Sequence, residues 1–426
     1  MYESRMQRLA DRTPRGSLVD NTHADPDLSH LHGDRIDRIA MRAYRLARVR
    51  AELSRRGLAG IVLYDPVNIR YATGTRNMSV WHMHNAARYA FVATDGPVIV
   101  FDYEYEGVRQ QPPPLETVDE VRPALSWYYF GAGPHLAGNA RRWAREIADL
   151  VDRHGAGTRA IAADNLNPVG AAELAALNVR VHDGFEVMEH ARAIKSAEEL
   201  TAMRIAIEVC QEGIARMREL IVPGITENEL WAELHRANIA GGGEWIETRL
   251  LSAGPRTNPW FQECSDRPIR EGELVAFDTD LVGAYGYCVD ISRTWVAAGR
   301  PSDAQRRLYA LAFEQLEHNI ALLRPGMGFR EYAEKAWPIP DDHVAQRYTG
   351  LVHGVGLCDE WPGIAHLADF PTTGYDGVIE PNMVLCAESY IGAVGGTEGV
   401  KLEQQVLVTE NGPEILSTCP LEEDWL

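Results

Sequence analysis

At 426 residues, 45% hydrophobic and 24% charged, the chain has the composition of a globular protein and is long enough for two cores. A net charge of −19 argues against nucleic acid, whose phosphates it would repel, and suits a small cationic or zwitterionic substrate. No run is long enough to span a membrane, the first residues lack a signal-peptide core, and six scattered cysteines without C-x-x-C spacing read as reduced thiols, so a cytoplasmic protein is expected.

Residues 1–35 are polar and aperiodic and read as an arm. Apolar positions recur at helical spacing over 38–56, and Gly57 ends that helix. AGIVLYDPVNIRYATG reads as strand, turn and helix start, and YAFVATDGPVIVFDY as two strands around Asp95-Gly96. A helix is predicted from about Gly138 to His154, then strands at RAIAADN and VRVHDG. Strands alternating with helices predict an α/β domain over 36–190.

From residue 191 the pattern changes. Ser196 with Glu199, and Thr226 with Glu229, form capping boxes that open two helices around Pro223-Gly224. Helix, Pro-Gly, helix recurs over 304–323, at Pro325-Gly326 and after Phe329. This echo predicts an α+β domain over 191–426, built of two α-α-β-β halves whose strands share one curved antiparallel sheet with a cleft lined from both.

The chemistry centres on 277–295, FDTDLVGAYGYCVDISRTW, read as a hairpin carrying Asp278, Asp280 and Asp290. Strand alternation would put Asp278 and Asp280 on one face, where two buried like charges repel unless a cation lies between them. His353 in LVHGVG, Glu388 in VLCAESY and Glu403 in VKLEQQVLV are further ligand types inside apolar runs. Five carboxylates and one imidazole suit Mn²⁺, Fe²⁺ or Zn²⁺, and that many acids suggest two ions sharing bridging carboxylates.

That order of acids and imidazole, with D-I-S-R-T after Asp290, resembles the pita-bread metalloenzymes: methionine aminopeptidase, prolidase, aminopeptidase P and creatinase. The resemblance covers the whole chain and implies a creatinase-like N-terminal domain that supports a homodimer. The peptidase spacing falls between the twelve and ten positions separating Asp278 and Asp280 from Asp290. CDEWPG stands where the peptidases carry a second histidine, and GPRTNPWFQE offers Trp260 where another is expected. Both departures speak against peptide hydrolysis.

GGEWIETRLL, GPRTNPWFQE, FDTD, CVDISRT, HGVGLCDEWP and KLEQQVLV resemble the DddP-type dimethylsulfoniopropionate lyases. That resemblance implies two divalent metal ions, iron foremost with Mn, Zn and Co as alternatives, on Asp278, Asp280, Asp290, His353, Glu388 and Glu403. It implies Asp359 as the base of a β-elimination, with Trp81 and Tyr348 near the substrate. A sulfonium cation suits aromatic faces, and Trp81, Trp260, Tyr348, Trp361 and Tyr390 are available. Trp81 lies in an apparently loop-like stretch, SVWHMHN, whose His82 and His84 read as surface or packing. Arg256 is either a carboxylate partner or a turn-surface arginine. The alternatives are a Xaa-Pro dipeptidase or creatinase-like hydrolase, a lyase for a related betaine, and a binding protein that keeps the scaffold.

Overall fold

The structure is a computed structural model that describes residues 24–102 and 115–426, so most of the expected arm, 1–23, lies outside the described residues. Two units emerge. The first joins the described residues before Leu28 to Arg42–Met188, and the second joins Leu28–Met41 to Glu189–Leu426.

The first unit is built on a mixed sheet in the order β4-β3-β2-β1-β5-β6. Its strands are β1 (Gly60–Leu63), β2 (Tyr89–Ala93), β3 (Val98–Asp102), β4 (Glu120–Pro123), β5 (Ala160–Ala163) and β6 (Arg180–Asp183). β1, β2 and β3 pair antiparallel, whereas β5 and β6 continue the sheet in parallel from β1. The Leu136–His154 helix buries Ala140, Trp143, Ala144, Ile147 and Val151, a spacing of three and four that lays one apolar stripe on the sheet. Asp65 caps the Pro66–Thr73 helix by accepting from the amides of Val67 and Asn68, with Pro66 in the first turn as the sequence foretells. At the first described residues, Ala24 bridges Thr75 and Asp25 is buried against Arg70 at 2.6 Å.

In the second unit both capping boxes form as read, and a third at Ser302 and Gln305 opens the Asp303–Leu322 helix. Helices Ala197–Leu220 and Glu227–Ala240 precede β7 (Trp245–Ile246), β8 (Leu251–Ala253), β9 (Leu274–Phe277), β10 (Leu281–Val282), β11 (Cys288–Val289) and β12 (Arg293–Val296). Helices Asp303–Leu322 and Phe329–Lys335 precede β13 (Val352–Val355), β14 (Asp359–Ile364), β15 (Val384–Ile391), β16 (Val400–Thr409) and β17 (Gly412–Ile415). The expected repeat of paired helices followed by strands is therefore present. The ladders run β11-β10-β7, β12-β9-β8 and β14-β13-β15-β16-β17. β12 joins β16 where the Lys401 amide donates to Thr294 Oγ1 at 3.1 Å and Thr294 Oγ1 donates to Lys401 O at 2.8 Å.

The stretch 277–295 is not one continuous hairpin. β9 ends at Phe277, residues 278–280 are irregular, and Asp280 adopts a left-handed φ of 36°. The chain changes partners there: β9 pairs with β8 and β12, whereas β10 pairs with β7 and β11. Simple alternation therefore does not set the directions of Asp278 and Asp280. The carbonyl of Asp280 accepts from the Glu247 amide at 2.9 Å, and its carboxylate accepts from Thr248 Oγ1 at 2.5 Å, which fix the turned-out conformation.

Candidate metal centre

Five segments bring the acids and the imidazole together. Asp278 and Asp280 follow β9, Asp290 follows β11, His353 lies on β13, and Glu388 and Glu403 face each other across the β15–β16 ladder. Carboxylates directly opposite in a ladder repel. Here both are buried, Glu388 being 2% exposed and Glu403 0%, as are Asp278, Asp280 and Asp290. His353 Nε2 lies 3.2 Å from Glu388 Oε1, 3.5 Å from Asp290 Oδ2 and 3.6 Å from Glu403 Oε1.

The electrostatics are those of a site built for positive charge. Burial pushes the Asp290 carboxyl well above its ordinary range, with Glu403 and Asp278 adding repulsion. Burial and then Asp278 do the same to Asp280, and burial with Glu403 raises Glu388 to about 7. Burial would also raise Glu403, but Lys401 and His353 outweigh it and hold that carboxyl well below its usual range. Burial disfavours the His353 imidazolium, yet Asp359, Glu388 and Glu403 raise its pKa well above the ordinary value.

A cation fits this arrangement. Asp290 Oδ1 and Glu403 Oε1 are buried without a hydrogen-bond partner, which costs about 1–3 kcal/mol each or more when charged. Ligand-capable atoms of Asp278, Asp280 and Asp290 lie within 4.8 Å of one another, and so do those of Asp290, His353, Cys386 and Glu403. Asp290 belongs to both sets.

Beside the acids opens a cavity of about 350 Å³, lined in part by Asp280, Asp290, Tyr348, His353, Asp359 and Glu388. Asp359 begins β14 with its side chain 50% exposed, and its Oδ1 lies 3.7 Å from His353 Nδ1. The next residue, Glu360, points the other way, where Arg192 Nε (2.8 Å) and Lys195 hold it. This buried anchor turns Asp359 outward by strand alternation. The surrounding protein raises the Asp359 carboxyl, His353 opposes the shift, and Glu403 and Glu360 reinforce it. Tyr348 stacks on Phe261 at 5.4 Å, and its ring lies 4.7 Å from Lys401 Nζ.

Trp81 belongs to the first unit, and its segment is a short helix, Ser79–His84, rather than a loop; Asn85 Nδ2 closes that helix on Trp81 O at 3.1 Å. His82 is buried packing, its pKa lowered by burial to about 4. Trp361 turns toward His190 and Phe329, and Tyr390 donates to Thr257 O at 2.9 Å, so both are packing groups. Arg256 does meet a carboxylate, that of Glu227. The sequence reading missed Lys401, Ser292 and Cys386. Lys401 stands two residues before Glu403, the strand period that would have placed both on the same face, whereas Ser292 follows Asp290 in an irregular stretch that carries no such signal.

Comparison with known proteins supplies the class. Residues 201–410 match the metallopeptidase family M24, and residues 45–194 match the creatinase/prolidase N-terminal domain. The Xaa-Pro dipeptidase from Bacillus anthracis superposes with a TM-score of 0.71 at 20% identity, covering 89% of this chain and 98% of that one, a likeness of fold. The chain is 42% identical over 391 residues to dimethylsulfoniopropionate lyase DddP of Roseovarius nubinhibens, covering 90% of this chain and 86% of that one. It is 40% identical over 393 residues to the protein of the same name from Roseobacter denitrificans, covering 91% and 87%. The chain thus belongs to the DddP family within the M24 creatinase/prolidase-type metalloenzymes. No helix among the described residues is long and apolar enough to cross a membrane.

Proposed function

We propose that this protein is a metal-dependent carbon–sulfur lyase that cleaves dimethylsulfoniopropionate to dimethyl sulfide and acrylate. The observation that carries the reading is the carboxylate of Asp359, which lines one cavity together with Asp280, Asp290, His353 and Glu388. Asp278, Asp280, Asp290, His353, Glu388 and Glu403 would hold two divalent ions, iron foremost. When bound, such ions supply Lewis-acid polarisation of a carboxylate, which acidifies the neighbouring C–H. Asp359 takes the proton from the carbon beside the substrate carboxylate. That electron pair becomes the new C=C bond, the C–S bond breaks, and dimethyl sulfide leaves with the bonding electrons. Tyr348 offers its aromatic face to the sulfonium, worth about 0.5–2 kcal/mol, and the same role is assigned to Trp81. A cytoplasmic homodimer belongs to the same proposal.

The test is headspace gas chromatography of the purified protein given dimethylsulfoniopropionate, with Xaa-Pro dipeptides as the competing substrate. Dimethyl sulfide that appears with divalent metal and vanishes with chelator is the expected result. Dipeptide hydrolysis without dimethyl sulfide would overturn the reading.

A further inference from the structure

Lys401 lies inside the acid cluster with its side chain 0% exposed. Its Nζ is 2.7 Å from Glu388 Oε2, 2.9 Å from Glu403 Oε2, 3.1 Å from Asp278 Oδ2 and 2.7 Å from Ser292 Oγ. An ammonium has three hydrogens, so four acceptors saturate it. Ser292 Oγ lies 2.7 Å from Asp278 Oδ1 and 2.8 Å from Glu403 Oε2, extending the same network. The opposite oxygens, Glu388 Oε1 and Glu403 Oε1, face His353 Nε2 at 3.2 and 3.6 Å. The ammonium and the imidazole thus grip the two carboxylates from opposite sides.

Charge gives this placement meaning. With every acid ionised and His353 neutral, as metal ligands must be, five buried carboxylates against one ammonium leave four negative charges, which two divalent ions would balance. A buried carboxylate without compensation is too costly to persist as a charge. We propose that Lys401 is the built-in counter-ion of the cluster: a positioning residue that holds Glu388, Glu403 and Asp278 in the ligand geometry before any metal arrives. The inference rests on the reading of these acids as metal ligands. It makes the metal-free protein a folded, preassembled receptor. Replacing Lys401 with an apolar residue makes folding depend on the metal.

The test compares thermal midpoints of the full-length wild type, Lys401→Met and Lys401→Arg, each with chelator and with Mn²⁺, alongside metal content by mass spectrometry. Chelated wild type stays folded, and chelated Lys401→Met melts about 10 °C or more below it, as removal of one partner of a buried ion pair does. Mn²⁺ recovers most of that loss, and Lys401→Arg keeps most of the chelated stability. A Lys401→Met protein that is folded only while loaded, and unfolds as metal is stripped, is the same result in stronger form. Three outcomes overturn the proposal: wild type that unfolds on chelation, chelated Lys401→Met that melts with chelated wild type, or a loss equal with and without Mn²⁺, as a purely structural lysine gives. Should Lys401→Met not fold at all, chelated wild type and Lys401→Arg decide. Wild type that retains no Mn²⁺ would instead sink the metal-centre reading, and the chelated midpoints would still judge Lys401.

Discussion

Both units bury carboxylates, and they answer the cost differently. In the first, Asp25 is met by Arg70 at 2.6 Å and Arg45 at 3.9 Å, and Asp102 by Arg88 at 3.3 Å. Asp25 and Asp102 each have a guanidinium, and Asp164 accepts from the Tyr64 and Asp65 amides and from Asn68 Nδ2. In the second, Asp278, Asp280, Asp290, Glu388 and Glu403 share Lys401 and one imidazole. Balanced pairs need nothing from outside, whereas an unbalanced cluster asks for cations. Structural and functional burial of charge are thereby separated by counting partners.

The sharpest way to break the contrast is Asp290→Ala, which removes the residue common to both ligand sets. Activity is expected to fall to background and metal content to drop, both measured on protein that still melts cooperatively. Next comes Asp359→Asn, which keeps the charge count of the buried cluster but removes the base. Turnover should fall by about 10²–10⁴-fold with metal content unchanged. In the first unit Asp25→Ala removes the carboxylate that Arg70 and Arg45 meet and should cost about 3–5 kcal/mol, read from denaturant unfolding. Divalent ions should restore none of it. Trp81→Ala should raise KM roughly 2- to 30-fold, the range of one cation–π contact, with kcat less affected.

The gentlest test is a pH series on chelated protein. Burial raises Glu388 from 4.5 to about 7, so the folded state keeps a proton that the unfolded chain has released. Native protein then binds more protons, and stability falls as pH rises through that window. Asp164 in the first unit, raised by burial from 3.8 to about 7, gives the same sign. Metal loading should flatten the cluster's share of the slope and leave that of Asp164. A slope unchanged by metal would place the titration outside the cluster.

What could be read from the sequence was local or chemically conspicuous. Capping boxes depend on residues three apart, and all those expected form. Acids inside apolar runs stand out because burial penalises them, and the structure gathers all six expected ligand types. The unread parts depend on distant partners. The left-handed turn at Asp280 follows from hydrogen bonds to Glu247 and Thr248, and nothing within 277–295 announces it. Lys401 looks like an ordinary strand lysine until Asp278 is brought from far upstream. Trp81 reads as a loop because the six-residue helix that carries it is too short for an apolar period to show.

The contacts that complete the cluster join residues far apart in the chain. Ser292 meets Glu403 across 111 positions. Closing so long a loop is entropically slow, and local helices form long before it. During synthesis the pocket therefore cannot exist until Glu403 has emerged, long after Asp278, Asp280 and Asp290, so a nascent chain that ends between them has no finished receptor with which to trap a wrong ion.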